Sequence, residues 1–259
     1  MTVVKNMSFL HAIIAGIIQG LTEFLPISSS GHLVILHKYF GYNGSYILFD
    51  IFLHIGTFFS VLVYFRHDII NLFKSKHVWL LYIFVASLVT FVLGFLFSGM
   101  LEKVFGNLKL VGVMLLITAS FLFIADYFLE KQNAPKYKPK RLTVFKALVI
   151  GLVQALAILP GISRSGSTIS AGLVFGMEKR AAVRFSFFLS LPAILGALVF
   201  KLKDLSSFSG IGVNVFFGTL VSFSVGFLAI SLLLKIVEKA RLKIFAFYCL
   251  ILSILVLIF

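Results

Sequence analysis

Long apolar runs separated by short polar turns dominate the chain. Runs at 46–65, 78–98, 108–129, 182–200, 210–234 and 242–259 match the length of about 18–20 residues that carries a helix across a bilayer. The apolar positions are continuous rather than alternating, so the pattern predicts helices, which satisfy their own backbone in lipid. Two further runs are interrupted. Residues 8–25 break at Pro26 and resume as a short piece at 31–40. Residues 143–159 break at Pro160-Gly161 and resume at 167–176. No piece of these pairs spans alone, so each pair reads as a re-entrant hairpin. The expected fold is an all-α polytopic integral membrane protein with six transmembrane helices and two re-entrant helix hairpins.

The order of elements repeats. Gly16-x-x-Gln19 corresponds to Gly151-x-x-Gln154, and Ser28-x-x-Gly31 to Ser163-x-x-Gly166, both at an offset of 135. Phe52-Leu53 corresponds to Phe188-Leu189 and Asp68 to Asp204, at an offset of 136. The reading is one membrane domain, 1–259, built from repeat 1 (about 1–130) and repeat 2 (about 142–259). A polar linker at 130–141 joins them, carrying Lys131, Lys136, Lys138, Lys140 and Arg141.

Composition supports this and limits the alternatives. Hydrophobic residues make up 60% and mean hydropathy is +1.10, beyond what a soluble core requires. A net charge of +14 raises nucleic acid as a partner. The cations, however, lie in short loops between apolar runs and no soluble domain carries a binding surface. No nucleic-acid partner is expected. Cys249 is the only cysteine, so no internal disulfide forms. The first apolar run carries Gln19 and Glu23 and lacks a small-x-small site, which argues against a cleaved signal peptide.

Loop charge sets an orientation. If both hairpins return to their own side, Arg66–Lys76, Glu130–Lys146, Lys179–Arg184 and Lys235–Lys243 share one face with 16 Lys and Arg. The opposite face has six: Lys5, Lys38, Lys103, Lys109, Lys201 and Lys203. The rich face should be cytoplasmic, with both termini outside. Three spans separate the repeat units, so they insert in opposite orientation, the hairpins enter from opposite sides and their tips meet near the midplane. This is an inverted-topology repeat.

The tips are where polar groups collect. Ionisable residues at membrane depth are costly and mark functional sites. Gln19 and Glu23 lie four apart, on one helix face. Glu23 is either a neutral packing group or a ligand for an oxygen-seeking divalent cation, Mg²⁺ or Ca²⁺. Ser28, Ser29, Ser30, Gly31 and His32 open the following half-helix. One serine suffices as a cap, leaving hydroxyls spare at a helix start that attracts anions. His32 suits acid/base or nucleophilic work, and a serine beside it makes a nucleophile–base pair conceivable. Ser163, Arg164, Ser165, Gly166, Ser167 and Thr168 repeat the arrangement with an arginine. Arg164 either pairs with Glu23 for structure alone or grips phosphate oxygens in bidentate fashion. Taken together, the two tips describe a phosphate or diphosphate site. Asp50 and His54 face one way in their span, equally as support for the site or as interfacial groups. His11, His37 and Asp126 read as interfacial.

The stretches Q-G-L-T-E-F-L-P-I-S-S-S-G-H (19–32) and L-P-G-I-S-R-S-G-S-T (159–168) resemble the two signature motifs of undecaprenyl-diphosphate phosphatases, the bacitracin-resistance protein family. F-D-I-F-L-H-I-G-T (49–57) and Y-F-R (64–66) resemble it too. The likeness runs over essentially the whole chain. It implies a phosphoric anhydride hydrolase that converts undecaprenyl diphosphate to undecaprenyl phosphate and inorganic phosphate. That reaction recycles the lipid carrier of cell-wall synthesis and confers bacitracin resistance. It further implies a multi-pass protein of the bacterial plasma membrane, a divalent cation, and a site opening outward. By motif position, Glu23 binds the metal or polarises the site, Ser29 and His32 carry nucleophilic or acid/base work, and Arg164 clamps phosphates. Gln19, Ser28, Ser30, Gly31, Ser163, Ser165, Gly166 and Thr168 complete the cradle. The partners are the polyprenyl diphosphate and membrane lipid, with a homodimer left open as the assembly.

A second function class competes, a secondary transporter or polyprenyl-phosphate flippase that uses the inverted repeat for alternating access. Its basis is the fold alone, which does not fix function. Glu23, His32 and Arg164 discriminate, because transport needs a binding site but no acid/base pair.

Overall fold

The computed structural model describes residues 8–41, 46–75, 77–97, 107–200, 212–239 and 241–258. Lys5, Lys76, Lys103, Lys201, Lys203 and Asp204, which entered the charge and repeat arguments, lie outside these. Every element among the described residues is a helix: α1 Phe9–Phe24, α2 Ser29–Tyr39, α3 Ile47–Tyr64, α4 Arg66–Ser75, α5 His77–Leu96, α6 Leu108–Lys131, α7 Val144–Leu156, α8 Arg164–Val174, α9 Lys179–Phe200, α10 Val213–Glu238 and α11 Lys243–Ile258.

Local chemistry accounts for the boundaries. Ser8, Asn107 and Thr143 accept from backbone N–H groups three residues on, opening α1, α6 and α7. The Glu178 carboxylate accepts from the N–H groups of Arg180 and Ala181 at the start of α9. These are the orphan donors of a helix start. α1 ends at Leu25, whose backbone is extended, because the residue before a proline is pushed out of the helical region. Pro26 then turns the chain into α2.

α5, α6, α9 and α10 are each long and apolar enough to cross a membrane. α3 reaches that test only together with α4, which leaves it at 68°. α11 has 16 residues, about 24 Å at 1.5 Å per residue against a hydrocarbon core of about 30 Å. Among the described residues, four or five spans therefore follow from helix length where six were expected. The protein is an all-helical, multi-pass membrane protein. Its outer surface is apolar, with Phe84, Phe145 and Leu228 each more than 60% exposed, as suits a surface wetted by lipid chains.

Close packing depends on small residues, the usual device where lipid offers no hydrophobic drive. α1 packs on α10, and α7 packs on α5. A methyl group added at Gly16 would lie 2.5 Å from the Gly218 carbonyl, and one added at Gly151 equally close to that of Ala86. α3 crosses α10 at Gly56, where an added Cβ would collide with the Thr219 carbonyl. Ser60 and Ser222 cross-link the same pair, donating to the carbonyls of Phe223 and Leu53. A Gly16→Val chain should unfold roughly 5–10 °C lower in detergent, since overpacking costs about 1–3 kcal/mol. Gly196→Ala, with nothing within 4 Å of the new methyl, should leave the midpoint unchanged in the same thermal scan.

The basic segments gather at one end of the molecule, as loop charge predicts. Arg184 pairs with Asp68, Arg180 with Glu238 and Lys243 with Glu130. The linker docks there. Gln132 donates to the Met177 carbonyl and accepts from Lys179 N, while Tyr137 Oη and Lys140 N both reach the Gly176 carbonyl. Asp126 is a buried cap. Its Oδ1 accepts from Lys243 N at 2.9 Å and fixes the start of α11.

Candidate active site

The α1–α2 and α7–α8 turns meet, as expected of two hairpin tips. Ser28 is the one non-glycine with positive φ among the described residues, at +69°. Its left-handed backbone brings Oγ to the N–H of Gly31 at 3.3 Å and to the N–H of Gly161 on the other turn at 3.2 Å. Ser163 mirrors it, accepting from Gly166 N at 3.0 Å. Ser165 Oγ donates to the Leu25 carbonyl at 3.3 Å. An added Cβ on Gly31 would come within 3.2 Å of the backbone of Gly161, and one on Gly166 within 3.0 Å of Ser163 and 3.3 Å of Pro26, so a side chain at either position would push the neighbouring groups aside. Thr118 of α6 braces the second turn, donating to the Gly161 carbonyl and accepting from Ser163 N.

Across this junction lies an ion pair between Glu23 Oε1 and Arg164 Nη2, with both side chains largely buried. Arg164 also donates through Nη1 to the Ser186 carbonyl at 3.2 Å. The second carboxylate oxygen of Glu23 accepts from Ser29 Oγ at 2.6 Å and Gln19 Nε2 at 3.1 Å, and faces His54 Nε2 at 3.4 Å. Four helices, α1, α2, α3 and α8, therefore converge on one carboxylate.

The pair opens onto a cavity of about 380 Å³. Glu23, Ser29, Ser30, Asp50, His54 and Arg164 supply polar lining, and Phe91, Phe95, Ile158, Pro192, Ala197 and Phe200 supply apolar lining from α5, the α7–α8 turn and α9. A small charged site is thus continuous with an apolar chamber.

Of the residues singled out in the sequence, Glu23, Ser29, Ser30 and Arg164 stand on this wall. Gln19, Ser28, Gly31, Ser163, Ser165, Gly166 and Thr168 do not. They are buried behind it, with the hydroxyls committed to capping and cross-links, because helix starts at this depth have no water to satisfy them. Thr168 Oγ1, for example, bonds the Arg164 carbonyl at 2.8 Å and Ser186 Oγ at 2.6 Å. His32 also points elsewhere. Its Nδ1 meets the Ser28 carbonyl and its Nε2 meets Tyr248 Oη, each at 2.7 Å, and the two rings stack. His11 and His37 are buried within the protein. His11 Nε2 bonds His37 Nδ1 at 3.1 Å, and His37 Nε2 bonds Asp50 Oδ1 at 2.9 Å. The fourfold spacing of Asp50 and His54 was the sequence signal for the His54 contact. Thr118, Ser186 and Tyr248 gave none, being ordinary residues within apolar spans.

The described residues include no group of three or more His, Cys, Asp or Glu arranged to hold a metal ion. What the site offers is oxygen: the Glu23 carboxylate, the hydroxyls of Ser29 and Ser30, and behind them Gln19 Oε1, buried without a hydrogen-bond partner. That donor set suits a hard cation that keeps water and shares phosphate oxygens, rather than one caged by protein alone.

Known proteins share this arrangement of sequence. The family model described as bacitracin resistance protein BacA matches residues 12–255. An undecaprenyl-diphosphatase from Halothermothrix orenii is 42% identical, over 97% of this chain and 98% of its own. One from Caldicellulosiruptor bescii is 40% identical over 98% of each chain, and one from Methanobrevibacter smithii is 38% identical over 96% of this chain and 97% of its own. With a match that takes in both turns, the Glu23–Arg164 pair and every helix between them, the chain belongs to the bacitracin resistance protein BacA family.

Proposed function

We infer that the chain hydrolyses undecaprenyl diphosphate to undecaprenyl phosphate and inorganic phosphate. The carrying observation is the Glu23–Arg164 pair with Ser29 on the wall of a cavity whose polar groups give way to a mainly apolar lining that includes Phe91, Phe95, Ile158, Pro192, Ala197 and Phe200. A diphosphate head suits the first part and a polyprenyl tail the second. The transport alternative draws no support from the relatives, which are named as phosphatases.

Phosphoryl transfer needs positioning and charge neutralisation above all. In this reading Arg164 turns its fork from Glu23 to the phosphates, with the Ser186 carbonyl keeping it anchored. Ser29 Oγ attacks the terminal phosphorus, its proton passes to Glu23 Oε2, and the bond to the bridging oxygen breaks, releasing polyprenyl phosphate. Glu23 hands that proton to the departing polyprenyl phosphate and is a base again; water then attacks the phosphoserine phosphorus, its proton passing through Glu23 to Ser29 Oγ as the ester bond breaks and inorganic phosphate leaves. Ser30 lines the head site, while Gln19, Ser28, Gly31, Ser163, Ser165, Gly166 and Thr168 hold the two turns in register. Glu23 would hold Mg²⁺ or Ca²⁺, which when bound supplies positive charge to the phosphate oxygens.

We further read the architecture as an inverted repeat, with α1–α2 and α7–α8 as re-entrant hairpins and α3 and α11 as short spans. The mirrored packing of α1 on α10 and of α7 on α5 supports it. The gathered basic end would face the cytoplasm of a bacterial plasma membrane, with the termini and the cavity mouth outside.

The deciding measurement is phosphate release from undecaprenyl diphosphate by purified protein in detergent, with Mg²⁺ or Ca²⁺ and with EDTA. Release that falls at least about tenfold on chelation is expected. A folded protein that releases nothing would overturn the assignment. Because no protein-only cage is built among the described residues, equilibrium dialysis should show cation binding only weakly without a diphosphate and clearly with one.

A further inference from the structure

We propose that His54 is a positioning residue for Glu23, holding the carboxylate in the cavity wall while Arg164 is engaged with the diphosphate. This rests on the phosphatase reading. Glu23 divides its partners. Arg164 alone serves Oε1, while Gln19, Ser29 and His54 serve Oε2. A guanidinium that grips phosphate bidentately leaves that first oxygen, and a buried carboxylate stripped of its charged partner is strongly disfavoured. The contacts to the second oxygen must then keep the carboxylate in the wall.

His54 fits that requirement by geometry. Its Nδ1 lies 2.7 Å from the Asp50 carbonyl, and a carbonyl only accepts, so Nδ1 carries a proton. Its Nε2 faces the Glu23 carboxylate at 3.4 Å, which sets the ring edge against the second oxygen. The start of α3 is itself pinned. The Asp50 carboxylate accepts from His37 Nε2, and His37 Nδ1 meets His11 Nε2. The segment presenting His54 is thereby tied to α1 and α2, the two helices that carry Glu23 and Ser29. His32 shares the Nδ1 contact to a backbone carbonyl, but its Nε2 does not face Glu23. Its nitrogens are committed to the Ser28 carbonyl and to Tyr248. The imidazole beside the reacting groups is His54.

The test is a pair of variants assayed for kcat and KM on undecaprenyl diphosphate, with wild type and His32→Leu alongside. His54→Gln places an amide N–H close to the former Nε2 and should keep kcat within about fivefold. His54→Leu fills the space without a donor and should lower kcat on the order of 100-fold, the cost of misplacing a reacting group, with KM within about threefold. Monodispersity and melting midpoint establish that each variant is folded; if His54→Leu fails, His54→Gln against His54→Ala carries the comparison. A donor-free variant within threefold of wild type overturns the proposal, as does an equal loss in His54→Gln. Wild-type protein that releases no phosphate overturns the phosphatase reading instead, so the two failures are distinguishable.

Discussion

Replacing Arg164 by alanine is expected to lower kcat/KM by about 1,000-fold or more, the scale on which arginine contributes to phosphoryl transfer. Arg164→Lys is expected to recover little of it, remaining about 100-fold below wild type. The reason lies in its two anchors. One arm of the guanidinium reaches Glu23 and the other the Ser186 carbonyl, so the planar fork is held at the mouth of the charged site. An ammonium supplies the charge at a single point and cannot hold the anchor and a phosphate at once. Steady-state phosphate release decides between these outcomes. Lysine at near wild-type activity would mean that Arg164 acts as a charge alone and that no bidentate clamp exists. Thermal unfolding should accompany the assay, because removing one member of a buried pair costs about 3–5 kcal/mol.

Ser29→Ala carries the second large effect. The Ser29 hydroxyl donates to Glu23 Oε2 at 2.6 Å, the nucleophile-to-base contact of covalent catalysis. Loss of kcat on the order of 1,000-fold or more is expected if this oxygen attacks phosphorus. The helix should not suffer, because the cap of α2 is Ser28 and not Ser29. Ser30→Ala, which loses only a long 3.5 Å contact with Ser28 Oγ, should stay within about threefold. A Ser29→Ala enzyme within tenfold of wild type would assign the attack to water and leave Ser29 as a hydrogen-bond partner of the carboxylate.

The hairpins, the meeting of their tips and the basic end were legible in the sequence, because each rests on a local signal. Pro26 and Pro160-Gly161 interrupt apolar runs, and lysine marks the turns. The Glu23–Arg164 pair was legible because lone charges at membrane depth are few. The partner of each helix was not legible. A helix apolar on every side has no face to read, so nothing in the letters of α10 shows that Gly218 and Ser222 lie against α1. Nor do they show that Gly151 lies against Ala86. Helix length by itself does not decide α11, where an apolar run extending to residue 259 contains a described helix of 16 residues. The partners of the histidines were hidden for a related reason. Hydropathy cannot tell a histidine at a helix end from one buried in a hydrogen-bonded chain, and the turn of His32 toward Tyr248 depends on a helix more than 200 residues away. His54 stood out only through its spacing from Asp50.

The packing of α1 against α10 has a consequence for how the protein is made. α1 ends at Phe24 and α10 begins at Val213, so a ribosome adding roughly 5–20 residues per second finishes the first helix well before its partner, by about 10–40 s. Throughout that interval Gln19 and Glu23 are inserted, or held at the translocon, without the helices that enclose them. Neither half is self-sufficient, because each lends its opening helix to the other. Two fragments cut at the linker and expressed separately would each expose a glycine-lined groove to lipid and to the quality-control proteases of the membrane. Expressed together, they hold all the surfaces needed to assemble.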